Sequence, residues 1–242
     1  MRNVLTFLLL LFSLLCNGQS PKLFTTDKEL SSSLINQIYQ DRNGFIWIAT
    51  EDGLNRYDGA KFTIYKHEPN NEHSLAHNFV RTVFEDSKGH LLIGTYIGIQ
   101  MYDPATDNFT PLAKLEDTGE TLESNINSFI ERKNGEIWVS GNVLCKLDIK
   151  DHLLTVRKVD IAVTSPGSLF EDKKQNVWMA KGEEGVYQLT PDNQLTLHLS
   201  KDNGYVKSIC EDQRGNIYVG SIRKGLFIYD KERKTFVPVD LK

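Results

Sequence analysis

The sequence predicts an all-β fold made of repeated four-stranded units, and three features predict it. A turn with Asp first and Gly fourth recurs along the chain. A short strand that is apolar on both faces follows the turn. Successive turns keep a nearly constant spacing, with their fourth positions at residues 44, 89, 135, 175 and 215.

The 242-residue chain opens on a stretch of a different kind. Arg2 supplies a positive charge. Val4 to Leu15 is an uncharged apolar run, followed by Cys16-Asn17-Gly18. Residues 1-18 therefore read as a secretory signal peptide, cleaved after Gly18. The run is too short to cross about 30 Å of hydrocarbon, which disfavours a membrane anchor. Bulky Leu15 ahead of Cys16 disfavours lipid attachment. Export places the remaining chain in the periplasm, and no other apolar run approaches the length of a membrane span. Residues 19-33 are expected to hold an N-terminal strand, Lys22 to Thr26, and a linker.

The repeat region, 34-242, divides into units at about 34-66, 79-112, 126-158, 168-199 and 206-240. The first strand of each is Leu34 to Tyr39, Phe79 to Phe84, Ile126 to Ile130, Ser168 to Phe170 and Val206 to Cys210. The turn follows, as Asp41 to Gly44, Asp86 to Gly89 and Asp212 to Gly215. Asp first and Gly fourth suits a type I turn, because the carboxylate bonds the turn's own amides and glycine tolerates the exit geometry. Unit three has Arg132 for the Asp but keeps Gly135. Unit four keeps Asp172 but has Gln175 for the Gly.

The second strand is Phe45 to Thr50 in the first unit, with Trp47 at its centre. Leu92, Trp138, Trp178 and Tyr218 occupy the same place in the others. Apolar residues on both faces mean that both faces are covered. A loop with Gly53, Gly98, Gly185 or Gly225 leads to a third strand, and a short fourth strand centres on Phe62, Phe109, Val156, Leu197 or Phe236. Turn spacings of 45, 46, 40 and 40 residues with four strands per unit are the arithmetic of a β-propeller blade. A single blade cannot bury two faces, and radial stacking buries both.

The units closely resemble the two-component regulator propeller repeat, which runs roughly D-x-x-G-x-[IL]-W-[IV]-[GA]-T-x-x-G-[LI]-x-x-[YF]-D. Asp41 to Asp58 matches almost throughout. Asp86 to Asp103 matches with Leu92 for Trp, and Asp212 to Asp230 with Tyr218 for Trp. Units three and four match in part. The resemblance covers Leu23 to Phe236. It implies the periplasmic sensor region of hybrid sensor histidine kinases of the Bacteroidetes type, which detect oligosaccharides. It also implies further propeller blades or a sensor-kinase chain as partners, since about five blades and no kinase are present here. An N-terminal strand beside an already complete fifth blade implies an incomplete propeller, with an exposed edge that invites association.

Composition narrows the function classes. With 28 basic and 32 acidic residues, the net charge of -4 lacks the basic surplus that nucleic-acid binding needs. Trp47, Trp138 and Trp178 could be sugar platforms, but their constant place in a doubly apolar strand favours packing. His67, His73 and His77 lie in a polar linker with Pro69, not on a helix, so no metal and no cofactor is expected. Cys145 and Cys210 read as two buried thiols. The pairs Glu85-Asp86, Glu171-Asp172 and Glu211-Asp212 point to opposite faces of a strand end and cannot converge as acid and base. No catalytic residue is expected.

Binding functions ride on variable loops held by a rigid frame. The loops between second and third strands, with the blade links, nominate Glu51, Asp52, Asn78, Tyr96, Asn142, Glu183, Glu184, Arg223 and Lys224. Carboxylates, amides, an aromatic ring and basic groups suit a polar oligosaccharide ligand. Two other readings stay open: a periplasmic protein-interaction scaffold, and a propeller lyase or hydrolase.

Overall fold

A computed structural model describes residues 23–26, 29–199 and 204–240. The expected signal peptide lies outside the described residues. Every regular element described is a strand. The first sheet holds Ile35–Gln40, Ile46–Thr50, Gly53–Tyr57 and Phe62–Tyr65 (β1–β4). The second holds Val80–Glu85, Leu91–Thr95, Ile99–Asp103 and Asn108–Phe109 (β5–β8). After Lys114–Leu115 (β9), the third holds Ser128–Glu131, Ile137–Ser140, Leu144–Lys150 and Leu153–Lys158 (β10–β13). Leu169–Glu171, Val177–Lys181, Gly185–Leu189 and Leu195–Leu199 (β14–β17) form the fourth sheet. Tyr205–Glu211, Ile217–Ile222, Gly225–Asp230 and Thr235–Pro238 (β18–β21) form the fifth. Within each sheet the four strands pair antiparallel in chain order. These are five all-β propeller blades.

The blades pack face to face through four apolar clusters. Trp47, Leu54, Val83 and Ile93 join the first two sheets. Leu92, Ile126, Val139 and Leu154 join the second and third. Trp138, Leu144, Val177 and Met179 join the third and fourth, and Trp178, Val186, Val219 and Phe236 the fourth and fifth. Adjacent residues of one strand thus serve different clusters: Leu92 faces one neighbour and Ile93 the other. That alternation is why the second strand is apolar on both faces. Among the described residues no such cluster joins the fifth sheet to the first.

The Asp-x-x-Gly turns carry a second, polar lock. In the fourth blade, Asp172 Oδ1 accepts the N–H groups of Lys174 and Asn176, and its Oδ2 accepts Asn176 Nδ2 and Trp178 Nε1. Asp41 does the same for Asn43, Phe45 and Trp47 Nε1. In the second blade, where Leu92 replaces the tryptophan, His90 Nδ1 meets Asp86 Oδ2 at 2.7 Å instead. The third blade, with Arg132 in the Asp position, is repaired from a different site. Glu136 accepts Trp138 Nε1 at 3.0 Å, Arg132 stacks on the Trp138 ring at 4.6 Å, and Lys146 neutralises Glu136. Partial burial raises the Glu136 pKa, but the bonds from Lys146, Trp138 and Asn134 outweigh it and hold the carboxyl down at about 2.

Each turn also grips the next blade through the Glu that precedes the next turn. Glu85 accepts the Arg42 N–H, Glu131 the Ser87 N–H, Glu171 the Lys133 N–H and Glu211 the Lys173 N–H, at 2.7 to 3.2 Å. The side chains of Arg42, Lys133 and Lys173 then reach backbone carbonyls of the neighbouring turn. The Glu-Asp pairs of the sequence are therefore a blade clasp, one member turned to its own blade and the other to its predecessor. The first blade, which has no predecessor among the described residues, carries Gln40 in the Glu position.

Two expectations need correction. The described part of the N-terminal segment contains no strand. It makes a turn, with Glu29 and Leu30 N–H donating to the Thr25 carbonyl, and lies over the outer half of the first blade. Phe24 packs on Tyr57 and Phe62 at 5.2 and 5.0 Å, and Ser31 exchanges hydrogen bonds with Asn55 and Thr50. The described part of the segment covers a blade face. Second, Cys210 is exposed while Cys145 is buried. Cys210 pairs with Tyr218 on the face of the fifth sheet that no blade covers among the described residues. Beyond these corrections, the link between blades two and three supplies an extra strand, since β9 pairs parallel with β13 at Lys114–Thr155 and Leu115–Val156. It shields the outer edge of the third blade.

Candidate functional site

The nominated loop residues lie on one rim, but few converge. Asp52 is used internally: Lys66 Nζ pairs with it and Asn78 Nδ2 donates to it at 3.1 Å, while Asn78 Oδ1 accepts the His67 N–H. Those contacts tie the first linker to the first blade. Glu184 pairs with Lys181 at 2.8 Å and meets the Tyr187 hydroxyl. Glu51, Glu183, Arg223 and Lys224 stand exposed on the same rim without sharing a cavity with Tyr96.

Tyr96 and Asn142 do come together. They line opposite sides of a cleft of about 620 Å³ between blades two and three, with Ile97, Leu112, Thr121, Glu123, Ser124 and Asn125. Tyr96 and Ile97 come from the β6–β7 loop and Asn142 from the β11–β12 loop. The rest come from the blade link. Tyr96 is 53% exposed, and its ring is steadied by His77 at 5.6 Å and Phe79 at 6.1 Å. Thr95 Oγ1 accepts the N–H groups of Ile97 and Gly98, which sets the loop that carries the tyrosine.

The far wall is equally fixed. Ser124 N–H donates to the Ile97 carbonyl, and Ser124 Oγ accepts the Asn142 N–H at 3.0 Å. Gly141 makes this approach possible: a Cβ there would stand 2.5 Å from Ser124 Oγ and 2.8 Å from the Asn125 carbonyl oxygen. Among the described residues, Asn125 Oδ1 is the one buried side-chain polar atom with no hydrogen-bond partner. A buried acceptor without a donor calls for an explanation. Asn125 itself lines the cleft. Glu123 adds an exposed carboxylate, and no second acid and no histidine lines the cleft. The arrangement can hold a ring against tyrosine and bond its hydroxyls, but it presents no acid and base pair.

Thr121, Glu123, Ser124 and Asn125 were not among the residues nominated from sequence. Their signal was the length of the second blade link, whose polar run Thr121-Leu122-Glu123-Ser124-Asn125 is not needed to cross between blades. The three tryptophans are buried between or within blades and reach no cleft surface. The linker histidines have backbone partners, with His67 Nδ1 at Leu75 O, His73 Nδ1 at Phe109 O and His77 Nδ1 accepting the Phe79 N–H. Among the described residues no group of three or more His, Cys, Asp or Glu side chains is placed to hold a metal.

Comparison with known proteins gives this architecture a context. Residues 29–52, 74–96 and 200–223 match the family model of the two component regulator propeller. One stretch of 83 residues, 31% of this chain, is 39% identical to histidine kinase P4 of Formosa agariphila and spans 6% of that protein. Among solved structures, the extracellular domain of a hybrid two component system from B. thetaiotaomicron superposes on 93% of this chain. The TM-score is 0.73 and the identity 18%. A second such domain from the same organism covers 90% at a TM-score of 0.56. The chain spans 33% and 36% of those two chains. Virginiamycin B lyase from Staphylococcus aureus shares the fold at a TM-score of 0.65 and 13% identity. The spaced family matches and the five sheets agree: three segments of this chain match the two component regulator propeller model, within an all-β propeller fold.

Proposed function

We propose that this chain is an extracytoplasmic sensor propeller of a two-component signalling system, and that it recognises an oligosaccharide without chemically changing it. The observation that carries the reading is the cleft between blades two and three. A half-exposed tyrosine, two amides, hydroxyls and one carboxylate line it. Sugars bind through this pairing of a ring face with fixed polar groups. The resemblance of the repeats to regulator propellers supports signalling as the context, and the single carboxylate supports binding over hydrolysis. A kinase chain is the output partner in this reading.

A ligand that binds only the folded chain raises its melting temperature by mass action. A thermal-shift screen against oligosaccharides should therefore yield hits that Tyr96→Ala and Asn125→Leu abolish. A flat response across the panel, or hits that survive both changes, would refute the assignment.

A further inference from the structure

The cleft at Tyr96 does not end at its own walls. A larger cavity of about 800 Å³ adjoins it, and the two share Ile97, Leu112 and Thr121 as common lining. The larger cavity runs along the first linker, past Glu68 and Glu72, to the β12–β13 hairpin at His152 and Leu153. Its floor is apolar, formed by Ile97, Leu112 and buried Leu154, and its rim is polar. Gln100 beneath it spends its amide on Ser74 O, Thr110 O and the Ala76 N–H, so the linker wall is held in place.

We propose that the two cavities form one trough that takes a linear, uncharged oligosaccharide several units long, from Tyr96 at one end to Leu153 at the other. This rests on the sugar-binding reading of the Tyr96 cleft. Two observations extend it. Each cavity alone falls in the range of about 300–1,000 Å³ that holds one small ligand, so the joined space exceeds what one or two rings fill. The charge along it is also mostly acidic: Glu68, Glu72 and Glu123 face it, with Lys114 as the one lysine or arginine in its lining beside His67 and His152. A uronate or sulfated chain would meet carboxylates along most of its length and be repelled. An uncharged chain would lay its C–H faces on the apolar floor and its hydroxyls on the rim. Leu153, 55% exposed at the hairpin, offers the far end an apolar contact.

Isothermal titration of the chain with neutral gluco-, xylo- and manno-oligosaccharide ladders, from disaccharide to octasaccharide, tests the trough. In one ladder affinity should rise about tenfold or more between the shortest and longest members, equal to about 1.4 kcal/mol. Leu153→Asp, at an exposed position, should erase the gain with length and leave the disaccharide affinity unchanged. Tyr96→Ala should weaken every member. Short sugars that bind with no length dependence, and an ineffective Leu153→Asp, would overturn the trough and leave the Tyr96 cleft standing. Preference for uronate or sulfated chains over neutral ones would overturn the charge argument. If no sugar of either kind binds, the oligosaccharide reading falls and the trough with it.

Discussion

The tryptophan-carboxylate lock can be broken with one atom. Asp172→Asn keeps the shape of the side chain but replaces one acceptor oxygen with an NH₂. Four donors surround the carboxylate at 2.8 to 2.9 Å: the Lys174 and Asn176 amides on Oδ1, and Asn176 Nδ2 with Trp178 Nε1 on Oδ2. An asparagine can keep its oxygen toward one pair only, so the other pair faces a donor. Asp172 and Trp178 are 5% and 1% exposed, so water does not fill in for the lost acceptor. Leaving a buried donor unsatisfied costs about 1–3 kcal/mol, and hydrogen bonds to a charged acceptor exceed neutral ones by about 1 kcal/mol. The substitution should therefore destabilise the chain by about 2–4 kcal/mol. Urea unfolding followed by far-ultraviolet circular dichroism measures this. Trp178→Phe made alone and in combination closes a double-mutant cycle, and the coupling should be about 1–2 kcal/mol because one orphaned donor is removed. A cost below about 0.5 kcal/mol for Asp172→Asn would refute the lock as a source of stability.

Other consequences are as direct. Gln175 sits at φ 65°, where the first, second, third and fifth turns have glycine, and its side chain is exposed. Gln175→Gly should raise stability by roughly 0.5–1 kcal/mol, relief of left-handed strain outweighing the added freedom of the unfolded chain, as chemical denaturation would show. Glu136, held at about 2 in the fold against an ordinary 4.5, contributes stability above pH 4.5 that is lost as the pH falls toward 2. Glu136→Gln should flatten the stability profile across that window and leave its shape at neutral pH unchanged. Gly141→Ala must push Ser124 and Asn125 off the Asn142 wall and should weaken oligosaccharide binding about tenfold with little loss of secondary structure, measured by calorimetry and circular dichroism. The open fifth-blade face, with Cys210 exposed and Ile222 half-exposed, should make the chain associate with rising concentration in sedimentation velocity. A monodisperse monomer throughout the range would oppose that expectation.

The repeat could be read without coordinates because blade geometry is local. A type I turn needs Asp and Gly at set positions, and a strand buried on both sides needs apolar residues in sequence, so both leave a periodic trace at Asp41, Asp86, Asp172 and Asp212. Strand pairing in chain order follows from the short turns. The sequence also determined that Trp47, Trp138 and Trp178 occupy equivalent places, and hence that they build blades.

What the linear pattern could not carry is which side chains meet across blades. The contact of Arg42 with Glu85 spans one repeat, and the meaning of the Glu before each Asp emerges only when the next blade is in place. Glu136 takes over the missing aspartate's bond to the tryptophan from a position that no repeat template marks, and Arg132, in the aspartate's own place, stacks on the Trp138 ring. The same holds for the cleft. Of nine nominated loop residues, Tyr96 and Asn142 converge, whereas Asp52 and Asn78 are bound to each other and to the linker. Tertiary packing decided this, because a rim loop's neighbours are set by the rotation between blades and by the path of the link. That path brings Thr121 to Asn125 between the second and third blades and leaves Asn125 Oδ1 buried without a donor. The sequence determined the frame through local backbone chemistry, and the structure alone decided which variable residues share a space large enough for a ligand.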